Sequence, residues 1–84
     1  MHNPTDERIY YLVIERETAA LILWAPSVSE DSPFIAPNGT VTITYSDIYG
    51  YDFEAEEAIY YWWNAIDNEG VLEAGEINSQ VLTL

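Results

Sequence analysis

Acidic side chains outnumber basic ones so strongly in this chain that any fold it adopts must keep almost every carboxylate in contact with water. Fifteen aspartates and glutamates stand against two arginines and no lysine, which gives a formal net charge of −13. Burial of an unpaired charge is strongly unfavourable, so we expect the carboxylates on the surface. A surface of this sign repels nucleic-acid phosphates and anionic lipid headgroups, so direct nucleic-acid binding and membrane binding are not expected.

The chain nevertheless contains enough apolar material for one folded domain. Hydrophobic residues make up 49% of it and aromatic residues 14%, a composition unlike that of a disordered acidic tail. Because 84 residues suffice for one modest core, we expect a single domain over residues 1–84, with residues 1–7 as a flexible N-terminal tail. There is no cysteine, so stability must come from packing.

The sequence predicts no membrane segment and no export signal. The longest apolar run, residues 19–26, is far shorter than the roughly 20 residues that a membrane span requires. The first eight residues lack the basic flank and apolar run of a signal peptide. We therefore expect a soluble cytoplasmic protein, in the cytoplasm of the host cell if a phage encodes it.

Three segments in the first half of the chain have the patterns of β-strands. Residues 8–15 are almost continuously apolar or aromatic, which is typical of a strand covered on both faces. Residues 19–25 form a second apolar run ended by Pro26, and the two runs suggest a hairpin. After a surface loop at 27–37, residues 40–46 alternate apolar and polar side chains, which predicts a half-exposed antiparallel strand.

The second half of the chain carries the start and stop patterns of a helix. Asp52 is a suitable N-cap, and Gly70 is a suitable left-handed residue after the last turn, so we predict a helix over 53–68. At least one further strand is expected within 71–84. The predicted fold class is α+β, a small antiparallel sheet of about four strands with one helix packed on one face, in the order β-β-β-α-β.

Acidic and aromatic side chains of the predicted helix form the candidate partner-binding site. At about 100° per residue, the small and apolar residues fall on one face, and most of the acids fall on the other with aromatics among them. Aromatic anchors within a charged surround are typical of protein interfaces. The alternative is that the aromatics cover the edges of a small core or contact the 27–37 loop. The candidate residues are Glu54, Glu56, Glu57, Tyr60, Tyr61, Trp63, Asp67 and Glu69.

The sequence offers little for catalysis or for cofactor and metal binding. The one histidine, His2, lies at a terminus, and the chain has neither cysteine nor lysine as a nucleophile. A paired-carboxylate site needs a substrate cleft, which a chain this short builds with difficulty. No segment has the spacing of an EF-hand loop, and residues 29–32 and 67–69 offer two carboxylates each, enough only for a weak calcium site. We expect a non-catalytic protein without cofactor or metal.

In size and composition the chain is similar to small acidic phage proteins that mimic DNA, among them inhibitors of restriction enzymes, CRISPR effectors and uracil-DNA glycosylase. The resemblance covers the whole chain as bulk composition and rests on no family-specific motif, so it assigns no functional residue. A compact body of this size spans roughly 30 Å, over which duplex DNA carries about 18 phosphate charges, a number comparable to the charge of the chain. The resemblance implies an inhibitor that blocks the basic nucleic-acid-binding surface of a host defence or DNA-processing protein.

Two other functions fit the same composition. The chain could serve as a protein-protein interaction or assembly module without nucleic-acid mimicry, or as an ordinary domain with a salt-adapted acidic surface. In each interpretation that involves binding, the expected partner is a protein, and for the mimic it is a basic one. The sequence leaves the oligomeric state open.

Overall fold

The fold is an antiparallel β-sheet covered on both faces by irregular segments. The computed structural model describes residues 1–29 and 31–84, and within this part no helix is long and apolar enough to cross a membrane. The same residues form five strands, one short helix and one 3-10 turn at Tyr45–Asp47. The other elements are β1 (Ile9–Glu15), α1 (Arg16–Ala19), β2 (Phe34–Ile35), β3 (Glu57–Asn68), β4 (Val71–Ala74) and β5 (Asn78–Thr83).

β3 is the central strand, because it pairs along both of its edges. One edge pairs with β1, where Tyr60 lies opposite Val13. The other edge pairs with β4 and β5, where Tyr60 lies opposite Gln80. β2 adds to the far side of β1, with Ile35 opposite Ile9. Every named strand pair is antiparallel, so neighbouring strands run in opposite directions across the whole sheet.

A bulge separates β4 from β5 on their shared edge of β3. Ala65 lies opposite Ala74 and Trp62 lies opposite Asn78, so two residues of β3 face the three residues 75–77. The Gly75 amide donates to the Asn64 carbonyl over 2.7 Å within this bulge. A Cβ at residue 75 would collide with the side-chain oxygen of Asn64 unless that side chain moved, which favours glycine in the bulge.

One face of the sheet, called the first face here, carries Val13 of β1 and Ala58 of β3 and packs against the segment before β3. Val13 and Ala58 are fully buried there against Ile48, which the chain delivers from the 3-10 turn. The loop that carries Ile48 therefore forms the second layer of the core on this face, where another fold would place a helix. The half-buried residues around this cluster are Met1, Tyr11, Ile43, Tyr51, Tyr60, Leu82 and Leu84.

The second face packs against the extended segment that follows α1. Ile14 and Trp63 are buried on this face, and the Trp63 indole Nε1 donates to the Ser27 carbonyl over 3.0 Å. The Trp24 ring lies 4.6 Å from the Tyr61 ring and 5.9 Å from the Trp63 ring, measured between centroids. One aromatic cluster and one hydrogen bond therefore fasten this segment to the sheet.

The predicted helix over 53–68 is wrong, and the α+β class with the order β-β-β-α-β fails with it. Residues 57–68 form β3 instead. Their aromatic and β-branched side chains favour strands, and alternation buries Ala58 on one face and Trp63 on the other. The supposed N-cap, Asp52, makes a local turn in which its carboxylate accepts from the Glu54 amide. Gly70 does adopt a positive φ of 87°, but in the two-residue turn of the β3–β4 hairpin.

The strand prediction for 8–15 is confirmed by β1, and the final strand expected within 71–84 is present as β4 and β5. The strands predicted for 19–25 and 40–46 do not form. The first becomes the end of α1 and an extended segment without strand pairing. The second alternates in burial through Thr44 and forms an isolated bridge between Thr40 and His2, but Tyr45 is 55% exposed at the start of the 3-10 turn. Alternation thus predicted the inward-facing side chains over 40–44, but not a hydrogen-bonded strand.

The N-terminal residues pair with the loop beyond β2. The backbone N–H of Asn3 donates to the Gly39 carbonyl, and the backbone N–H of Asn38 donates to the Thr5 carbonyl. The buried Asn3 side chain donates to the carbonyls of Glu7 and Ile35 at 2.6 and 3.0 Å. Its oxygen accepts from the Thr5 amide and hydroxyl. These contacts attach the start of the chain to the sheet, while the mobility predicted for residues 1–7 stays a prediction.

We expect Asn3→Ala to lower the free energy of unfolding by about 2 to 3 kcal/mol, because it removes the Asn3 side chain as a hydrogen-bond partner of one buried and three part-buried backbone groups. Urea unfolding followed by tryptophan fluorescence measures the loss. Asn68→Ala is the matched control, since Asn68 is exposed and its side chain makes a single long hydrogen bond of 3.5 Å. Equal losses in the two variants would contradict the anchoring role of Asn3.

Candidate partner-binding groove

An open acidic groove of about 520 Å³ lies where β1 ends and the chain enters β3. One wall comes from the β1–α1 junction and the other from the turn that precedes β3. Six carboxylates and one guanidinium line it, which concentrates negative charge in one concave surface. The lining residues are Glu15, Arg16, Glu17, Ala20, Asp52, Glu54, Ala55, Glu56 and Glu57.

Glu15 builds the first wall by capping α1. Both of its carboxylate oxygens accept from the Glu17 amide, at 2.9 and 2.7 Å, and one of them lies 3.4 Å from the Thr18 amide. Free amides at a helix start favour a negative side chain, which gives the Glu15 carboxylate hydrogen-bond partners although only 7% of the residue is exposed. Glu15 is thus a structural acid, while Glu17 beside it is exposed.

The second wall is the turn at residues 52–55, in the segment predicted to begin a helix. The Ala55 amide donates to the Asp52 carbonyl over 3.1 Å, and the Asp52 carboxylate accepts from the Glu54 amide over 2.9 Å. This turn leaves the side chains of Glu54 and Glu56 in solvent. The chain then enters β3 at Glu57.

Arg16 joins the two walls by an ion pair with Glu57, the one salt bridge among the residues that the structure describes. The two side chains are 61% and 35% exposed, so solvent screens the pair and its contribution to stability is small. The other carboxylates of the groove have no arginine beside them. The groove therefore keeps a strong negative potential available to an outside cation.

The structure distributes the eight predicted site residues over separate regions. Glu54, Glu56 and Glu57 come together in the groove. Asp67 and Glu69 lie at the β3–β4 turn, where Asp67 accepts from the Gly70 amide and Glu69 has a positive φ of 53°. Asp67 lies ten residue steps along β3 from Glu57, roughly 33 Å away, so Asp67 and Glu69 do not share one surface with the groove.

The three predicted aromatic anchors are also divided. Tyr60 belongs to the first face, where its ring stacks on Trp62 at 4.9 Å and meets Tyr11 at 6.3 Å. Tyr61 and Trp63 belong to the second face, and Trp63 is only 3% exposed. Consecutive strand residues point to opposite faces, so the single aromatic surface expected on the helix does not form.

Four charged residues of the groove were not predicted as site residues: Glu15, Arg16, Glu17 and Asp52. Their proximity to residues 54–57 follows from the pairing of Glu15 with Ala58 across β1 and β3. A recognised strand at 57–68 would have been the signal, because antiparallel pairing with 8–15 brings these two acidic segments together.

The arrangement suits charge recognition better than metal binding. Among the described residues, no three or more histidine, aspartate or glutamate side chains converge closely enough to hold a metal ion. The weak calcium site considered at 29–32 includes Glu30, which lies outside the described residues. The carboxylates spread along two walls instead, as several separate cationic side chains would require.

Comparison with protein-family models, with curated proteins and with solved structures finds no match to this chain. The fold and the groove define its class, a small antiparallel β-sheet protein with an acidic concave surface.

The surroundings raise the pKa of two tyrosines on the first face and lower the pKa of one nearby aspartate. Burial raises the pKa of Tyr11 above its ordinary value of 10.0, and the nearby Asp47 charge raises it further. Burial also raises the pKa of Tyr60, with a contribution from Tyr11. Hydrogen bonds from the Thr44 amide and hydroxyl, at 2.9 and 3.0 Å, lower the pKa of Asp47.

The tyrosine shifts predict an alkaline loss of stability. A folded-state pKa above the unfolded value means that the fold favours the neutral phenol, so the stabilisation is complete below about pH 10 and is lost as the pH rises through the folded pKa. The double substitution Tyr11→Phe with Tyr60→Phe should flatten this loss. Urea unfolding from pH 8 to 11 measures it, and an unchanged slope in the double variant would contradict the assignment.

Proposed function

We propose that the protein is a non-catalytic acidic binding protein that mimics DNA and blocks the basic nucleic-acid-binding surface of a defence or DNA-processing protein, such as a CRISPR effector or a restriction enzyme. The observation that carries the proposal is the groove, where six carboxylates meet a single arginine in a chain of net charge −13. A basic channel built for phosphates offers complementary charge to such a surface.

The dimensions of the molecule support this proposal. Its longest extent is 44 Å. Over that length one DNA strand carries about 13 phosphate charges, at one charge per roughly 3.4 Å. The protein carries the same net charge on a body of comparable length, so it could replace a strand in a basic channel without a large change in total charge.

The proposed mode of action is occupation of the partner's site rather than chemistry. Glu54 and Glu56 are exposed carboxylates that can approach cationic side chains, and Glu57 already binds one guanidinium within the chain. The Arg16–Glu57 contact illustrates the kind of ion pair that an arginine of the partner would form along the groove. Since the expected targets process nucleic acids inside cells, we propose the cytoplasm as the site of action.

Exposed apolar side chains favour a second candidate, an interaction module that does not mimic nucleic acid. Leu21, Leu23 and Phe53 are 85%, 103% and 90% exposed, so each would gain from burial in a partner. Binding through these side chains would survive high salt, whereas binding through the groove would not.

The mimicry proposal predicts that reversing the groove charge weakens binding. The tagged protein would capture partners from bacterial lysate at low salt, and a short DNA duplex would then be used to elute them. We expect duplex DNA and added salt each to release nucleic-acid-binding proteins, and Glu54→Arg with Glu56→Arg to reduce capture by roughly tenfold or more. Mass spectrometry of the eluates measures both.

Glu73→Arg with Glu76→Arg is the matched control. It makes the same change in net charge on exposed residues of β4 and the bulge, away from the groove. The control variant should keep most of the capture. Partners that resist both duplex DNA and salt would contradict mimicry and favour the interaction module.

A further inference from the structure

The two outer edges of the sheet differ in how they are closed. On the β2 side, the Asn3 side chain donates to the carbonyls of Ile35 and Ala36 at 3.0 and 3.2 Å, so the start of the chain covers that edge. On the other side, β5 pairs with β3 and with no further strand of the described chain. The outer side of β5 is therefore an open edge.

Hydrogen bonding at the end of β5 shows which backbone groups face outward. The Leu84 amide donates to the Glu56 carbonyl over 3.0 Å, so this pair is a hydrogen-bonded one. In an antiparallel ladder such pairs alternate with non-bonded ones, which directs the groups of residues 78, 80 and 82 toward β3. The N–H and C=O groups of Ser79, Val81 and Thr83 consequently point away from the sheet.

This edge lacks the features that normally prevent strand pairing. Residues 77–84 contain no charged side chain and no proline, although the chain as a whole carries fifteen carboxylates. Val81 is 52% exposed at the middle of the strand. Open edges in proteins are usually protected by charge, proline, coverage or a bulge, and here the bulge at 75–77 lies outside the β5 segment.

We propose that β5 pairs with β5 of a second copy of this chain, antiparallel and about a two-fold axis through Val81. Ser79 of one copy would then lie opposite Thr83 of the other, and the two Val81 residues would lie opposite each other. The two sheets would join into one continuous sheet.

A second copy fits this edge because the edge is self-complementary. Hydroxyl side chains meet hydroxyl side chains on both sides of a central valine pair, and the three outward residues of each strand supply matching donors and acceptors. Pairing uses the open edge of both copies, and the opposite edge is covered by Asn3, so the assembly closes as a dimer instead of growing.

The negative charges of the two copies repel each other, so self-association of this chain should depend on the salt concentration. Each copy carries −13, and the groove residue Glu57 pairs with Thr83 at one end of the interface. Added salt screens the repulsion, so self-association should strengthen with salt. Binding of a basic partner in the groove should weaken with salt, and the failure of one proposal is therefore distinguishable from the failure of the other.

Sedimentation velocity of the purified protein tests the proposal over roughly 10 µM to 1 mM, the range in which small interfaces associate. We expect a shift from the monomer mass of 9.6 kDa toward twice that value as protein and sodium chloride concentrations rise. Val81→Pro should weaken the dimer by at least about tenfold, because it removes the central N–H donor of each copy. In the monomer that N–H faces solvent, so proline is compatible with β5.

Val81→Lys provides a second variant, since it places two like charges opposite each other and should also abolish the dimer. Leu72→Lys is the matched control with the same charge change on an exposed apolar residue of β4, and it should leave the dimer intact. Circular dichroism would establish that each variant is folded, and Val81→Lys carries the test if Val81→Pro unfolds. A parent that stays monomeric at every concentration and salt, or a dimer that neither Val81 variant weakens more than Leu72→Lys does, would overturn the proposal.

Discussion

Hydrogen bonding of β3 along both of its edges holds the whole sheet together. A two-stranded hairpin is marginal in water, and here a single twelve-residue strand joins β1, β4 and β5 into one sheet. Its side chains point alternately to the two faces of the sheet, so Ala58 is buried on the first face and Trp63 is buried on the second. The covering layers add no further strand to the sheet, and their pairing with the rest of the chain is limited to isolated bridges such as that of Tyr49 with Ile14. Loss of β3 would therefore remove the surface on which both layers pack.

The charge of the chain acts on this sheet unevenly. Pairing of Glu15 with Ala58 brings two acidic segments together at one end of β1, and the groove is the result. β5 has no charged side chain, so an acidic groove and an uncharged strand lie next to each other, paired at Glu57 and Thr83. A protein that binds a basic partner and also pairs with itself would use both, and salt would move the two equilibria in opposite directions.

The sequence predicted β1 well because apolar residues on both faces of a strand leave no helical period. It failed at 57–68 because Asp52 and Gly70 are turn residues as well as helix caps, and four consecutive aromatics have no period that separates helix from strand. Because the strand at 57–68 was not predicted, only three of the six carboxylates of the groove were predicted as site residues. Glu54, Glu56 and Glu57 are close in sequence under either assignment, whereas Glu15 and Glu17 join them only through a strand register that no local pattern reveals.

Nuclear Overhauser effects between neighbouring strands would show whether residues 57–68 form the central strand β3. Ile59 lies opposite Val81 in a non-hydrogen-bonded pair, where the α-carbons are about 4.5 Å apart and the α-protons approach closely. We expect a strong contact between the α-protons of Ile59 and Val81. A continuous series of contacts between successive amide protons through 57–68, without that cross-strand contact, would indicate a helix and rule out β3 as a strand.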